Sequence, residues 1–380
     1  MDPLFFNGPV QNGDFAFVGK PGKAVGIRIA EALNDLLGAE PVPHLWNTVR
    51  LDGDLRYRRH AATQAAPACR ADFETAAIAA KYGTGRGPRA ITDGDQTVAQ
   101  LATEIIEDRL DTGELTISRV TTGVCTRCAH MTGTGGHPCR ACGHPISRPC
   151  TGLHLVADRD PAAPGLDVRR IYAHNRRAPL HLQELAGNTP ARLILSRTRE
   201  YGIDLGPLGL PGMVLDARAG IHVTVLAAAR ARQAEVAVMT TTGNAAANIN
   251  AAANIAAYGQ HFTVYDGARV LYALHGLVPY EHVADLHETY EAFGLGSEAQ
   301  TVFETWFLPL FALKEKNGIR SAQLPALLKH FHRARLASTA EPDQGALADL
   351  RHSIRQGATD WIGSKTALGI ALSTTALRGR

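Results

Sequence analysis

Short apolar runs alternate with amphipathic stretches along this chain, and their spacing predicts an α/β protein. FFNGPVQNGDFAFVGKPG, near the start, reads as a buried strand running into a Gly/Pro-rich turn. From Lys23 to Leu37 the spacing predicts a helix: Val25, Ile29, Leu33, Leu36 and Leu37 share one face, and Gly38 is placed to stop it. Strand, glycine-rich turn and helix open a doubly wound domain, in which ligands collect beyond the carboxyl ends of the strands. Residues 72–82 and 96–110 read as two further helices, the second ended by Gly113. LHLVA (153–157), ARLILS (191–196), GMVLDA (212–217) and HFTVYD (261–266) read as short buried strands bounded by turn residues. NAAANINAAANI (244–255) is a repeat expected to form an Ala-rich helix with its asparagines facing out. Beyond Leu313 the pattern turns helical and polar, enough for two or three helices.

The segment GVCTRCAHMTGTGGHPCRACGHPI carries the most specific chemistry, with spacing C-x2-C-x10-C-x2-C. Each C-x-x-C puts two thiolates on one tight turn, and two such turns complete a tetrahedron around Zn2+. Cys125, Cys128, Cys139 and Cys142 are therefore the expected ligands of a closed, structural zinc site. His130, His137 and His144 lie beside them as bystanders, and Cys69 and Cys150 are expected to be small, buried or partly buried residues.

Composition narrows the picture modestly. The chain has 380 residues, 45% of them hydrophobic, a formal net charge of +3 and six cysteines. A size of two or three domains is expected. The charge neither demands nor excludes an RNA partner. Paired cysteines suit metal binding in a reducing cytosol, no apolar run reaches the length of about 18 residues that a membrane span needs, and the N-terminus lacks the pattern of a secretory signal. A cytoplasmic protein is expected.

Several segments, spread over roughly residues 4–335, carry a family likeness. FFNGPVQNGD resembles the first strand and turn leading to the HIGH signature of class I aminoacyl-tRNA synthetases. IIEDRLDTGELTISRVTTGVCTRC is similar to the helix, strand and first zinc half-site of the connective peptide in methionyl-tRNA synthetases. GMVLDARAG resembles that family's strand ending in W-x-D-A, and FTVYDGARVLYALHGLVP resembles its F-x-G-x-D-N-x-x-F-H segment. The resemblance implies a Rossmann-like class I synthetase core, a parallel sheet with helices on both faces, carrying a zinc-knuckle insertion and a short C-terminal helical segment. The expected division is 1–112 and 191–315 for the two halves of the core, 113–190 for the insertion and 316–380 for the helical tail. It also implies catalytic roles for Asp216 and Asp266, both on motif positions, and substrate contacts from Asn12, Gly13, His222, Tyr265, Arg269 and His275.

The departures from the family pattern bear on function. Where the HIGH histidines belong, the chain reads Phe17-Val18-Gly19-Lys20. Where the lysines of K-M-S-K-S belong, EAFGLGSEAQ (291–300) has no lysine and carries Glu298. Gly267 and Leu271 replace the asparagine and histidine of the aspartate segment. Transition-state contacts to a triphosphate are thus missing at several places at once, which argues against ordinary ATP-dependent aminoacylation. Only seven lysines occur; of these Lys20 and Lys23 flank the first helix N-terminus, where a phosphate or carboxylate site would be rebuilt. The residues after His330 are too few and too neutral for an RNA-reading module, so tRNA is not the expected partner. The expected function is a methionyl-tRNA-synthetase-like protein working outside translation. It binds an amino-acid-like molecule and supports its ligation to an amine or hydroxylamine in small-molecule biosynthesis (N–N bond formation in a hydrazine is one such reaction), with a second biosynthetic protein as a candidate partner. A catalytically silent binding or scaffold subunit and a divergent tRNA ligase are the alternatives.

Overall fold

The computed structural model describes residues 2–8, 22–46, 91–132, 138–139, 142–158, 170–173, 190–199, 202–243, 255–315, 318–339 and 341–374. The first half contains β1 (Leu4–Asn7), α1 (Gly22–Leu37), β2 (Leu45–Trp46), β3 (Ile91–Thr92) and α2 (Gln96–Asp111). Next come β4 (Thr116–Cys125), β5 (Met131–Thr132), β6 (Ser147–Asp158), β7 (Ile171–Ala173), β8 (Arg192–Ile194), β9 (Ser196–Arg197) and β10 (Val214–Leu215), all but β7 in antiparallel pairs. The chain then forms α3 (Ala217–Ala231), β11 (Val236–Thr242), α4 (Ile255–Gly259), β12 (Val264–Tyr265) and β13 (Ala268–His275). Helices α5 (His287–Ala292), α6 (Ser297–Val302), α7 (Leu308–Lys314), α8 (Leu324–Ala337), α9 (Gln344–Arg355) and α10 (Lys365–Thr374) complete it, with a π-helical turn at Phe303–Phe307 between α6 and α7.

The central sheet runs β1-β11-β13, all parallel, with β7 parallel to β13 and β12 folded back on its start as a hairpin. Its strands are apolar on both faces, as a parallel sheet covered on both sides requires. Phe6, Ala237, Met239, Val270 and Tyr272 point into one core with α2 and α3; Phe5, Val238 and Ala273 point into the other with α1 and the C-terminal helices. Two asparagines lie at the edge of β1 away from β11, where no strand pairs with it among the described residues. Asn34 of α1 donates to Phe5 O (2.8 Å) and accepts from Phe5 N (2.9 Å). Asn7 does the same for the backbone of Leu45 at 3.0 and 2.9 Å. Side chains thus complete backbone groups that a further strand would otherwise pair.

Several expectations change here. The central strands are VAVMTTT (236–242) and ARVLYALH (268–275). GMVLDA and HFTVYD contain only the two-residue strands β10 and β12, and ARLILS contributes the short antiparallel strands β8 and β9. Residues 217–231 form a helix despite Ile221, Val223, Thr224 and Val225, because it is buried all round. The second, antiparallel sheet runs β5-β4-β6-β8 and extends to Ile194, while β7, within the span expected for the insertion, belongs to the central sheet. The stretch 72–82 and most of the 244–255 repeat lie outside the described residues.

Candidate functional site

The cysteine segment folds as two turns of the same build. In the first, Ala129 N donates to Cys125 O (3.0 Å) and Cys125 N to His130 O (2.9 Å). In the second, Gly143 N donates to Cys139 O (2.7 Å) and Cys139 N to His144 O (2.8 Å). These turns bring the four sulfurs within 4.8 Å of one another, with Cys125 and Cys142 Sγ at 3.7 Å and Cys128 and Cys139 Sγ at 3.5 Å. Thiolates about 2.3 Å from a central ion in tetrahedral array stand roughly 3.8 Å apart, so the spacing fits one metal ion. Arg127 N also donates to Cys125 Sγ at 3.4 Å, orienting that sulfur from outside the cluster. His130 and His144 serve the turns through their carbonyls, as bystanders should. Cys150 is exposed on β6, contrary to expectation; it falls in the part of the β4–β6 ribbon that projects beyond the core. His137 and Cys69 lie outside the described residues.

The second region is the carboxyl edge of the central sheet, where β1 ends at Asn7, β11 at Thr242 and β13 at His275. Helix α1 begins beside it, with Lys23 in its first turn. Asn12, Gly13 and Lys20 lie outside the described residues. His275 is buried, with Nδ1 2.9 Å from Gly276 O. Nδ1 therefore carries the proton, and Nε2 is an acceptor that has no partner among the described residues. Burial pushes the imidazole down to about 4, against a smaller upward pull from Gly276 O, so it is neutral near pH 7. Thr240 Oγ1 is turned to Gly26 O (2.8 Å), and a Cβ on Gly26 would stand 3.1 Å from that hydroxyl and 3.4 Å from His275 Nε2. The glycine lets α1 cross close over both.

On the opposite face, Asp216 caps α3 by accepting from Arg218 N (2.9 Å). It also accepts from Arg218 Nε (2.8 Å), Arg218 Nη2 (2.7 Å) and Arg197 Nε (2.6 Å). Burial alone would raise its pKa; the guanidiniums of Arg218 and Arg197 outweigh that and hold the carboxyl well below the usual carboxylate range. Arg218 stacks on Tyr258 at 3.5 Å. One turn further along α3, His222 donates from Nδ1 to Arg218 O (2.8 Å) and accepts at Nε2 from Tyr272 OH (2.7 Å); burial pushes it down to about 4. Asp216 and His222 are therefore fully engaged in a network that braces α3. Sequence reasoning missed Arg197, Arg218, Tyr258 and Tyr272; the short spacing Asp216-x-Arg218 at a helix start was the available signal.

The remaining predicted residues lie elsewhere. Asp266 and Gly267, with φ of 48° and 78°, form the two-residue turn of the β12–β13 hairpin, and Tyr265 and Arg269 flank it. This is the amino edge of the sheet. Asp266 is largely exposed, and Arg230 Nη2, in the last turn of α3, is 3.9 Å from it. Since Asp216 caps the first turn of that 15-residue helix, the two aspartates stand about 20 Å apart. Asp266 and Asp216, both expected in catalytic roles, are not brought together, because the Asp-Gly pair makes a hairpin turn where a ligand contact was expected.

No family model matches the chain, and no curated protein matches it either. Solved structures do. Mycobacterium tuberculosis methionyl-tRNA synthetase in complex with methionyl-adenylate matches with a TM-score of 0.56 and 13% identity, over 98% of this chain and 82% of that one. A second structure of that enzyme bound by methionyl-adenylate matches with a TM-score of 0.50 and 12% identity, over 97% and 82%. Its apo form matches with a TM-score of 0.53 and 12% identity, over 97% and 80%. At this identity the likeness shows the fold alone: a Rossmann-like core of the kind seen in methionyl-tRNA synthetase. Among the described residues no helix is long and apolar enough to cross a membrane.

Proposed function

We propose that this chain is a methionyl-tRNA-synthetase-like protein that works outside translation, binding an amino-acid-like molecule at the carboxyl edge of the central sheet. It supports ligation of that molecule to an amine or hydroxylamine acceptor, with a partner protein supplying what this chain lacks. The observation that carries the reading is His275. Its Nε2 is a buried acceptor at the end of β13 with no donor among the described residues, and leaving such an atom unpaired costs about 1–3 kcal/mol. A ligand N–H at this edge would satisfy it. The four cysteines hold Zn2+, which supplies no chemistry to the reaction and stabilises the insertion.

A thermal-shift panel of ATP and the twenty amino acids tests the reading, because a ligand that binds only the folded state raises its apparent stability. One amino acid should stabilise the protein, ATP should not, and His275→Ala should abolish the shift. Exchange of pyrophosphate into ATP should be absent or very weak. Robust exchange with any amino acid would restore ordinary adenylation.

The engagement of Asp216 favours a second reading. With both oxygens occupied by four N–H groups, it has no capacity left as a base or substrate ligand, as in a catalytically silent scaffold. A panel with no stabilising amino acid supports that alternative.

A further inference from the structure

At the amino edge of the sheet, about 20 Å from the proposed cleft by the length of β13, lies a cavity of about 300 Å3. Leu101, Leu226 and Ala268 give it an apolar lining, and Arg230, Glu235, Tyr265 and Asp266 line it with polar groups. Its acceptors are poorly committed. Arg230 is drawn to Glu104 at 3.2 Å and reaches Asp266 only at 3.9 Å. The Glu235 carboxylate has no partner among the described residues; only its backbone carbonyl is used, by Arg269 N at 2.9 Å. Arg232, the next cation along, donates instead to Pro41 O at 2.6 Å. The cavity also sits at the C-terminal end of α3, where the helix dipole favours positive charge. The Tyr265 phenol is pushed up first by burial and then by Glu104, Asp108 and Asp266 against Arg230.

An apolar lining with one carboxylate unpartnered among the described residues, Glu235, and another, Asp266, held only by a 3.9 Å contact to Arg230 suits one class of ligand, and the volume is at the lower end for small-molecule pockets. We infer that this cavity binds a small organic cation, a primary amine on a compact apolar body, with its ammonium between Asp266 and Glu235. The site is separate from the proposed amino-acid cleft and does not depend on it.

Calorimetric titration of the full chain at low ionic strength tests this with cyclohexylamine, cyclohexanol and cyclohexanecarboxylate as probes. The amine should bind at one saturable site about fivefold or more tighter than the alcohol, the carboxylate should bind weakest, and salt should erode the difference. The double variant Asp266→Asn/Glu235→Gln should bring the amine down to the level of the alcohol. Its melting temperature should stay unchanged, since asparagine tolerates the left-handed backbone of the turn. No saturable binding, an amine no tighter than the alcohol, or an unaffected double variant overturns the inference.

Discussion

Ala129 and Gly143 occupy the same place in the two cysteine turns, one residue beyond the second cysteine of each pair, and both are left-handed (φ 57° and 75°). Only the second turn has the residue that this backbone favours. A Cβ in that region costs about 1–2 kcal/mol, partly offset by the larger unfolded-state entropy of glycine. Ala129→Gly should therefore be neutral or stabilise by up to about 1 kcal/mol, and Gly143→Ala should destabilise by about 1 kcal/mol. Melting curves of the two metal-loaded variants decide it; equal losses in both would mean that the turns are not equivalent.

The freshly purified protein should contain one zinc per chain. Cys128→Ser removes one of four ligands and should release the metal, since ligation contributes directly to folding free energy. Elemental analysis and thiol titration measure both. Metal-free protein with four freely reactive thiols in the cluster would contradict the assignment.

Gly259 faces His222 so closely that a Cβ there would stand 2.0 Å from the ring. Gly259→Ala should cost about 1–3 kcal/mol by overpacking. The clash is with one side chain, so the penalty should shrink in a His222→Ala background. A double-mutant cycle by chemical denaturation measures the coupling; strict additivity would show that the ring is not the obstacle.

Stability should fall on mild acidification. His222 and His275 are held near 4 in the folded state, below the ordinary 6.5. Between these values the unfolded chain binds protons that the folded one refuses. The stabilisation from keeping both rings neutral is fully present above about pH 6.5 and declines as pH drops towards 4, by at most about 3 kcal/mol per ring. Asp216, depressed further, extends the loss below pH 4. Melting temperature against pH checks this, and His222→Gln should flatten roughly half the slope; a level profile from pH 7 to 4.5 would contradict both protonation assignments.

What the sequence discloses follows from how each signal is encoded. Helix α1 has one apolar stripe and Gly38 at its stop, so periodicity finds it, and fixed cysteine spacing finds the four-sulfur cluster. Helix α3 has no stripe because α2, α4 and the sheet cover it on every side, and its run from Ile221 to Leu226 imitates a strand. VAVMTTT is a buried parallel strand without alternation, hard to rank above the short apolar runs at 212–217 and 261–266, where turns interrupt pairing. Asp266 falls on a motif position, but Asp-Gly between two β-like segments is itself a hairpin signal, and the hairpin is what forms. The Arg197–Asp216–Arg218 cluster joins β9 to α3 through tertiary contact, which only Asp216-x-Arg218 foreshadows.

The pairing of Leu4 with Ala237 and of Phe6 with Met239 has a consequence for synthesis on the ribosome. β1 precedes its partner strand, which emerges only after the antiparallel ribbon and α3 have been made. Closing so long a loop is slow, and until then β1 is an unpaired apolar strand exposed to aggregation. The β4–β6 ribbon pairs within a short stretch of chain and can bring its four cysteines together first. A stalled nascent chain exposed to about residue 200 should already shield its four clustered cysteines from alkylation when zinc is present. Amide protection in β1 should wait until β11 and β13 have left the tunnel. Early protection of β1 would mean that it finds another partner first.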